Sequence, residues 1–87
     1  MTPEAQDVPR KLEQILSELL ARPIDESEDD ETPLRELGLS SLRMIQLIDD
    51  LETAFSIRVQ DREVTGANFG TLATLIAFVG GKIGSRP

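Results

Sequence analysis

Two consecutive serines, Ser40 and Ser41, follow a loop that contains a glycine and precede an amphipathic helix. Ser41 lies in the first turn of that predicted helix, where a hydroxyl is accessible. The unpaired backbone amides and the positive end of the helix dipole there favour a phosphate. One interpretation is therefore a serine presented for modification. The alternative is that the two serines only cap the helix, since serine is among the favoured N-cap residues.

The predicted helix after Ser41 has two faces. An apolar stripe expected to face the core comprises Met44, Leu47, Ile48, Leu51, Ala54 and Phe55. At about 100° per residue, Leu42 and Ile45 fall outside this stripe. Asp49 and Glu52 share their sector. Exposed aliphatic residues beside an accessible serine predict a docking surface. The alternative is that these aliphatic residues have no function, which is common on protein surfaces.

Intrinsic catalysis is not expected from the residue types present. The chain has no His and no Cys, which excludes the usual general base, the cysteine nucleophile and the commonest zinc ligands. Neither Lys11 nor Lys82 stands in a serine–lysine motif, and the carboxylates are expected in loops or on exposed faces. Gly80-Gly81 follows a predicted helix, so it does not form a phosphate-binding loop. We predict no catalytic residue and no metal site, and a hydrolase ranks last.

The charge of the chain restricts its partners. Asp and Glu total 16 against 9 Lys and Arg, which gives a net charge of -7. Such a surface repels nucleic acid and anionic lipid and attracts proteins with basic patches. Residues 1–7 are polar and acidic, unlike a secretory signal, and no apolar run reaches membrane-spanning length. We therefore expect a cytoplasmic monomer that binds proteins, with neither nucleic acid nor membrane as a partner.

Helical periodicity predicts a single all-α domain over residues 1–87, with an ordered core at about 8–80. The domain would contain three main helices, one short helix and a long, acidic first loop. The main helices are expected from Asp7 as N-cap to about Ala21, from Ser41 onward, and from Asn68 or Thr71 as cap to Gly80-Gly81. The short helix is expected at residues 61–64, with Asp61 as its cap.

Isolated apolar residues in the predicted loops are interpreted as anchors to the core. Leu34 and Leu37 would pin the end of the acidic loop. Ile57 and Val59 would enter the core from an extended connector, because a single strand there would have no partner. The ends expected to be frayed or disordered are residues 1–7 and 82–87.

One stretch resembles the core signature of acyl carrier proteins. It reads Leu37-Gly38-Leu39-Ser40-Ser41-Leu42, followed by Leu47 and residues 51–57. The family signature commonly reads Gly, an aliphatic residue, Asp, Ser and Leu. It continues into an amphipathic helix that ends in Phe and into a short Ile/Val segment. The first helix, the acidic loop and residues 64–72 also resemble family counterparts in order and spacing. The resemblance implies a four-helix bundle of the acyl-carrier type.

The resemblance also implies a cofactor and a set of partners. Ser41 would receive a 4′-phosphopantetheine arm from a phosphopantetheinyl transferase, and the thiol of the arm would hold acyl or aminoacyl intermediates as thioesters. The other partners would be an acyl-loading ligase or acyltransferase and downstream synthase enzymes with basic docking surfaces. The residues expected to dock them are Ser40, Leu42, Ile45, Asp49 and Glu52. An apolar cargo would pack against Leu47, Ile48 and Leu72, unless these residues fill the core.

The charges near the serine pair differ from the family pattern. Ser40 replaces the usual Asp before the modified serine. Arg43 and Gln46 take two commonly acidic positions. Asp49 stands where an exposed apolar residue is frequent, while Glu52 keeps an expected acid. Because specificity depends on such patterns, we expect a specialised carrier in a polyketide or fatty-acid-like pathway. The alternative is an unmodified helical module that binds a partner protein through its exposed aliphatic residues.

Overall fold

The computed structural model describes residues 3–25, 29 and 31–84. The α-helices that it delimits are α1 (Pro3–Leu20), α2 (Ser41–Phe55), α3 (Gly66–Phe69) and α4 (Leu72–Gly84). Two 3-10 helices, Leu34–Leu37 and Asp61–Glu63, lie in the connections. Within the described residues, the only β-type pairing is an isolated bridge between Pro33 and Thr71. The structure confirms an all-α fold with three long helices. The short helix predicted at residues 61–64 is the 3-10 helix Asp61–Glu63, and α3 is a further short helix. Part of the predicted acidic loop, residues 26–28 and 30, lies outside the described residues.

Leucine and valine side chains from α1, α2 and α4 form the centre of the core. α1 contacts both α2 and α4, and α3 packs on α4. Residues four positions apart on a helix share a face, so each long helix buries one stripe. The side chains with 0% exposure are Leu12, Leu16, Leu47, Leu51, Leu72, Leu75 and Val79. Each contributes about 1.5–3 kcal/mol by leaving water, so the long helices stabilise one another.

The stripe predicted for α2 is confirmed at most of its positions. The predicted residues that the core covers are Leu47, Leu51 and Phe55, with Met44 and Ile48 partly buried. The prediction is wrong for Ala54, which is exposed. Ala54 lines a surface groove together with Ile15 and Leu19 of α1, and its short side chain does not close the gap between the helices. The contact between α1 and α2 is therefore incomplete at its edge.

Regular structure extends beyond the predicted 8–80 core at both ends. α1 begins at Pro3, so the predicted N-cap at Asp7 is wrong. Proline is well tolerated at the first helical position, because no amide donor is needed there. Pro9 lies inside α1, where it removes one hydrogen bond without ending the helix. The remaining parts of the predicted disordered ends, residues 1–2 and 85–87, lie outside the described residues.

α4 passes through Gly80-Gly81, which were predicted to end it. In the turn that follows the glycine pair, Ile83 is buried and Lys82 forms an ion pair with Glu63. These contacts offset the cost of about 1 kcal/mol that a glycine carries inside a helix. The prediction of the end of α4 is wrong because it weighed local propensity alone.

The connection after α2 follows the predicted path with a different cap. Ile57 is buried and Val59 is partly buried against the core, as expected for an extended connector. The residue that caps the second 3-10 helix is Gln60, not Asp61. The Gln60 amide donates to Glu63 Oε1 at 2.9 Å, and the Glu63 amide donates back to the Gln60 carbonyl at 2.9 Å. The first bond caps the helix through the Glu63 side chain, and the second is a backbone turn; together they define the short helix Asp61–Glu63.

The start of α4 is confirmed at one of the two predicted caps. The Thr74 amide donates to Thr71 Oγ1 at 3.2 Å. Asn68, the other predicted cap, lies inside α3. α3 is 4 residues long and is capped by Thr65, whose Oγ1 accepts from the Asn68 amide at 3.3 Å. A helix of this length shows no periodicity in a sequence, so it was not predicted.

The loop before α2 is held by the predicted anchors. Leu34 and Leu37 are buried, and the Leu34 amide donates to the Gly70 carbonyl at 2.8 Å. Gly38 has a φ of 112°, a conformation that residues with a side chain rarely adopt, and it ends the first 3-10 helix. Leu39 is buried again. The chain therefore leaves the core only one residue before the N-cap of α2.

Ser40 caps α2, as the sequence allowed. Its backbone is extended, with a φ of -81° and a ψ of 173°. Its Oγ accepts a hydrogen bond from the Arg43 amide at 3.3 Å, and its carbonyl accepts one from the Met44 amide at 2.8 Å. The cap makes Ser41 the first helical residue.

An ion pair joins the second 3-10 helix to α4. Lys82 Nζ lies 2.8 Å from Glu63 Oε1 and 5.7 Å from the centroid of the Phe78 ring. The hydrogen bonds from Lys82 and from the Gln60 amide lower the pKa of Glu63 below its ordinary value of 4.5. Because this pKa is lower in the folded than in the unfolded state, the interaction stabilises the fold at neutral pH. That stabilisation is lost as the pH falls through the folded-state pKa.

Replacing Ser40 with alanine should remove the cap of α2 and lower the free energy of unfolding by about 1 kcal/mol. Ser40→Asp keeps an oxygen acceptor and should stay within about 0.5 kcal/mol of the wild type. Urea unfolding followed by circular dichroism measures both changes. An alanine variant as stable as the wild type would contradict the capping role.

Glu63→Gln should be less stable than the wild type at pH 7, and the difference should shrink below pH 4.5. Protonation removes the same charge from the wild-type carboxylate, so the two proteins become alike. Urea unfolding at neutral pH and at about pH 3 measures the difference. Glu36→Gln is the control, because Glu36 is exposed and remote from Lys82 in sequence. An equal difference at both pH values would show that the charge of Glu63 plays no part.

Candidate functional site

Ser41 is the first residue of α2, and its side chain is exposed. Leu42 and Ile45, on the same part of the helix, expose 68% and 66% of their surface. Among the described residues, no side chain forms a hydrogen bond with the Ser41 hydroxyl. The oxygen therefore stands clear of the bundle. A base that activates it must come from another molecule, since a serine hydroxyl is a weak nucleophile by itself.

The backbone around Ser41 favours an anion. The amides of Ser41 and Leu42 precede the first intrahelical hydrogen bond, which runs from Met44 to Ser40. The Arg43 amide is already taken by the Ser40 cap. The first turn contains no acidic residue, although the chain as a whole has a net charge of -7. A phosphate on the Ser41 oxygen would meet amide donors and the positive helix end without a neighbouring carboxylate in that turn.

Arg43 connects this turn to α1. Its guanidinium donates a hydrogen bond to the carbonyl oxygen of Leu19, in the last turn of α1, across 24 positions of sequence. A cation at the carboxyl end of a helix is favoured by the helix dipole. Sequence reasoning treated Arg43 as a change in the surface charge pattern and missed this contact. No local signal marks it, because its partner is a backbone atom far away in the chain.

The five predicted docking residues differ in their exposure and in their contacts with the rest of the fold. Ser40, Leu42, Ile45 and Asp49 are exposed. Glu52 is half-buried, and its Oε2 accepts a hydrogen bond from the Val59 amide at 2.9 Å. One carboxylate oxygen of Glu52 thus holds the connector after α2. The structure brings the five residues onto one part of α2 and its cap, with Glu52 also serving the fold.

A groove of about 520 Å³ opens beside the first turn of α2. It includes Leu39, just before the serine pair, and Met44, one turn after Ser41. The other residues that line it are Pro33, Leu34, Arg35, Val64, Thr65, Gly66, Phe69, Gly70 and Thr71. Leu47 and Leu72, predicted as cargo contacts, are fully buried in the core instead. Sequence reasoning missed this groove because residues from the loop, α2 and α3 form it together.

Residues 3–25, 29 and 31–84 contain neither a candidate metal site nor a candidate membrane span. No group of three or more His, Cys, Asp or Glu residues there could hold a metal ion. None of the helices in this part of the chain is long and apolar enough to cross a membrane. Glu63, whose carboxyl has a lowered pKa, lies at the far end of the connector from α2.

Comparison with protein families gives a match that includes the exposed serine. The family model described as "Phosphopantetheine attachment site" matches residues 10–79 of the 87-residue chain. The search of curated proteins returned no match. Proteins of this family are carriers rather than enzymes, and they interact with phosphopantetheinyl transferases and biosynthetic enzymes. The exposed, amide-rich start of α2 fits a phosphodiester. The chain therefore belongs to the phosphopantetheine-attachment family, as an acyl-carrier-type protein that bears 4′-phosphopantetheine covalently on a serine.

Proposed function

We propose that Ser41 is the attachment serine and that this carrier holds acyl intermediates for separate enzymes. We further propose that these enzymes belong to a specialised polyketide or fatty-acid-like pathway. The observation that supports Ser41 is its exposed hydroxyl in the first turn of α2, beside amides that precede the first intrahelical hydrogen bond. The negative charge of a phosphodiester is favoured at that helix end.

The other described serines are poorer candidates. Ser17 Oγ accepts a hydrogen bond from the Ile24 amide at 3.0 Å, which ties it to the end of α1. Ser40 Oγ caps α2. Ser56 follows the carboxyl end of α2, where the helix dipole disfavours an anion. Ser41 combines exposure with the favourable helix end, and its hydroxyl forms no hydrogen bond with a described residue.

The protein positions the attachment serine, and the cofactor supplies the reactive group. When bound, 4′-phosphopantetheine supplies a terminal thiol that holds acyl groups as thioesters. Ser40 fixes the start of α2, and buried Leu39 fixes the backbone before it. Since no described side chain forms a hydrogen bond with the Ser41 hydroxyl, the transferase must supply the base as well as bind the pantetheine donor. A fixed and unhindered oxygen is what such an enzyme requires of its protein substrate.

The groove beside the first turn supports an acyl cargo over an aminoacyl one. Its walls are largely apolar, with Met44, Val64 and Phe69 among the lining residues. Among the residues that the structure describes, Arg35 lines it and no Asp or Glu does. An aminoacyl thioester carries a cation, which would meet none of the described carboxylates there and would be near a like charge. An apolar acyl chain loses water-exposed area in the same place.

The surface around Ser41 supports docking to enzymes with basic patches. The proposed partners are the transferase, an acyl-loading ligase or acyltransferase, and downstream synthase enzymes. Asp49 presents an exposed carboxylate, whereas Glu52 shares its carboxylate with the Val59 amide. Arg43 is tied to α1. This rearranged charge pattern supports a specialised carrier, because charge patterns set partner choice. The cytoplasmic monomer predicted from the sequence stays a prediction.

No observation specifically favours the alternative given by the sequence, an unmodified module that binds a partner protein. It would use Leu42 and Ile45, and a docking surface for pathway enzymes accounts equally well for their exposure.

Incubation with coenzyme A and a broad-specificity transferase should add one phosphopantetheinyl group to the wild type, visible in the intact mass. Ser41→Ala should take none, because the acceptor oxygen is gone. Ser40→Ala is the matched control and should still be modified, since it loses only the cap. A modified Ser41→Ala variant would contradict the assignment, and so would a wild type that several transferases leave unchanged.

Substitutions of charged and of apolar residues on the docking surface should both slow the transferase, but only the effect of the charged ones should depend on salt. Asp49→Asn should lower kcat/KM about two- to five-fold at low salt, and the loss should disappear as salt screens exposed charges. Ile45→Ala should lower kcat/KM at every salt concentration, because it removes an apolar contact without changing the charge. Asp61→Asn, at an exposed position outside α2, is the control for net charge. Equal effects of the two asparagine variants would argue against a specific surface.

A further inference from the structure

A second groove, of about 480 Å³, lies between α1 and α2. The residues that line it are Ile15, Glu18, Leu19, Asp50, Thr53 and Ala54. None of them belongs to the cap, the first turn of α2 or the predicted docking set. The groove is therefore a separate surface, which the carrier function described above does not use.

The middle of this groove is apolar and incompletely covered. Ile15 and Leu19 are half-buried, and Ala54 is exposed although it belongs to the apolar stripe of α2. Apolar side chains in such a depression gain free energy when another molecule removes them from water. The groove thus offers a small patch against which an apolar side chain or an aliphatic stem can pack.

Each wall of the groove carries one carboxylate. Glu18 on α1 and Asp50 on α2 are exposed, and neither forms an ion pair with a residue that the structure describes. Two cations on the same helices have other contacts. Arg43 donates to the Leu19 carbonyl, and Lys11 Nζ lies 5.6 Å from the centroid of the Phe55 ring. Neither lines the groove. Two carboxylates beside a shared apolar floor favour an incoming cation.

The two surfaces of α2 point in different directions. At about 100° per residue, Asp50 lies about 180° round the helix from Ser41, and Ala54 lies about 220° round. Ile45 and Glu52 lie within about 40° of Ser41. A protein bound in the α1–α2 groove would therefore leave the serine accessible.

We propose that the α1–α2 groove is a second docking surface, which takes an amphipathic segment of a partner protein bearing arginine or lysine. The aliphatic stem of the basic residue packs on Ile15, Leu19 and Ala54, and its charged head lies between Glu18 and Asp50. A second copy of this chain is a poor occupant, because its net charge is also -7. The surface is independent of the group on Ser41, so a partner can hold the carrier while another enzyme uses the arm.

The test uses the full chain labelled with ¹⁵N and a synthetic amphipathic peptide of about 15 residues, with leucine on one face and arginine on the other. At low salt, the amide shifts in NMR spectra should change at Ile15, Leu19 and Ala54. Glu18→Gln and Asp50→Asn should each weaken binding about two- to five-fold. Glu36→Gln, which makes the same charge change at an exposed position outside the groove, should change binding by less than about two-fold.

Three results would overturn the proposal. Net charge alone would explain the binding if Glu36→Gln weakened it as much as Glu18→Gln does. The same conclusion would follow if a scrambled peptide of the same composition bound as tightly as the amphipathic one. Shift changes centred on Leu42 and Ile45 would place it on the other face. Concentration-dependent shifts at the groove in the free chain would show self-association instead. Ser41→Ala should bind the peptide as the wild type does, so the outcome is independent of the attachment site.

Discussion

The candidate site depends on one abrupt change in exposure along the backbone. Leu39 is buried, and two positions later Ser41 is exposed at the start of α2. Gly38 makes the turn possible because it adopts a φ of 112°. Ser40 makes the helix start possible because its hydroxyl satisfies the Arg43 amide, which would otherwise lack a partner within the helix. Together they hold an accessible oxygen at a fixed place above the core.

The charged residues around the serine divide into those that hold the fold and those that a partner can meet. Arg43 donates to a carbonyl of α1, and Glu52 accepts the amide of Val59. Asp49 is exposed and has no such contact with the described residues. A change of charge at position 43 therefore alters both the surface pattern and the junction of α1 with α2. From the sequence alone, Arg43 would be counted as a surface charge that affects partner choice, and its contact with Leu19 would be missed.

Patterns within one helix predicted much of the fold and of the exposed surface near the serine. The start of α2, the cap by Ser40 and the exposed aliphatic pair all follow from spacing over a few residues. The features that were missed depend on contacts between distant segments. Arg43 and Leu19 are 24 positions apart, and exposed Ala54 lines a groove together with Ile15 and Leu19 of α1. Likewise, α4 continues through two glycines because Ile83 reaches the core. Local periodicity contains none of these tertiary contacts.

Peptide mapping of the protein purified from its native host tests the central assignment most directly. Trypsin cleaves after Arg35 and Arg43, so residues 36–43 form one peptide that contains both serines of the pair. Fragmentation of this peptide by tandem mass spectrometry distinguishes Ser40 from Ser41. The account predicts the phosphopantetheinyl group on Ser41. The same group on Ser40, or on a peptide from elsewhere in the chain, would contradict it.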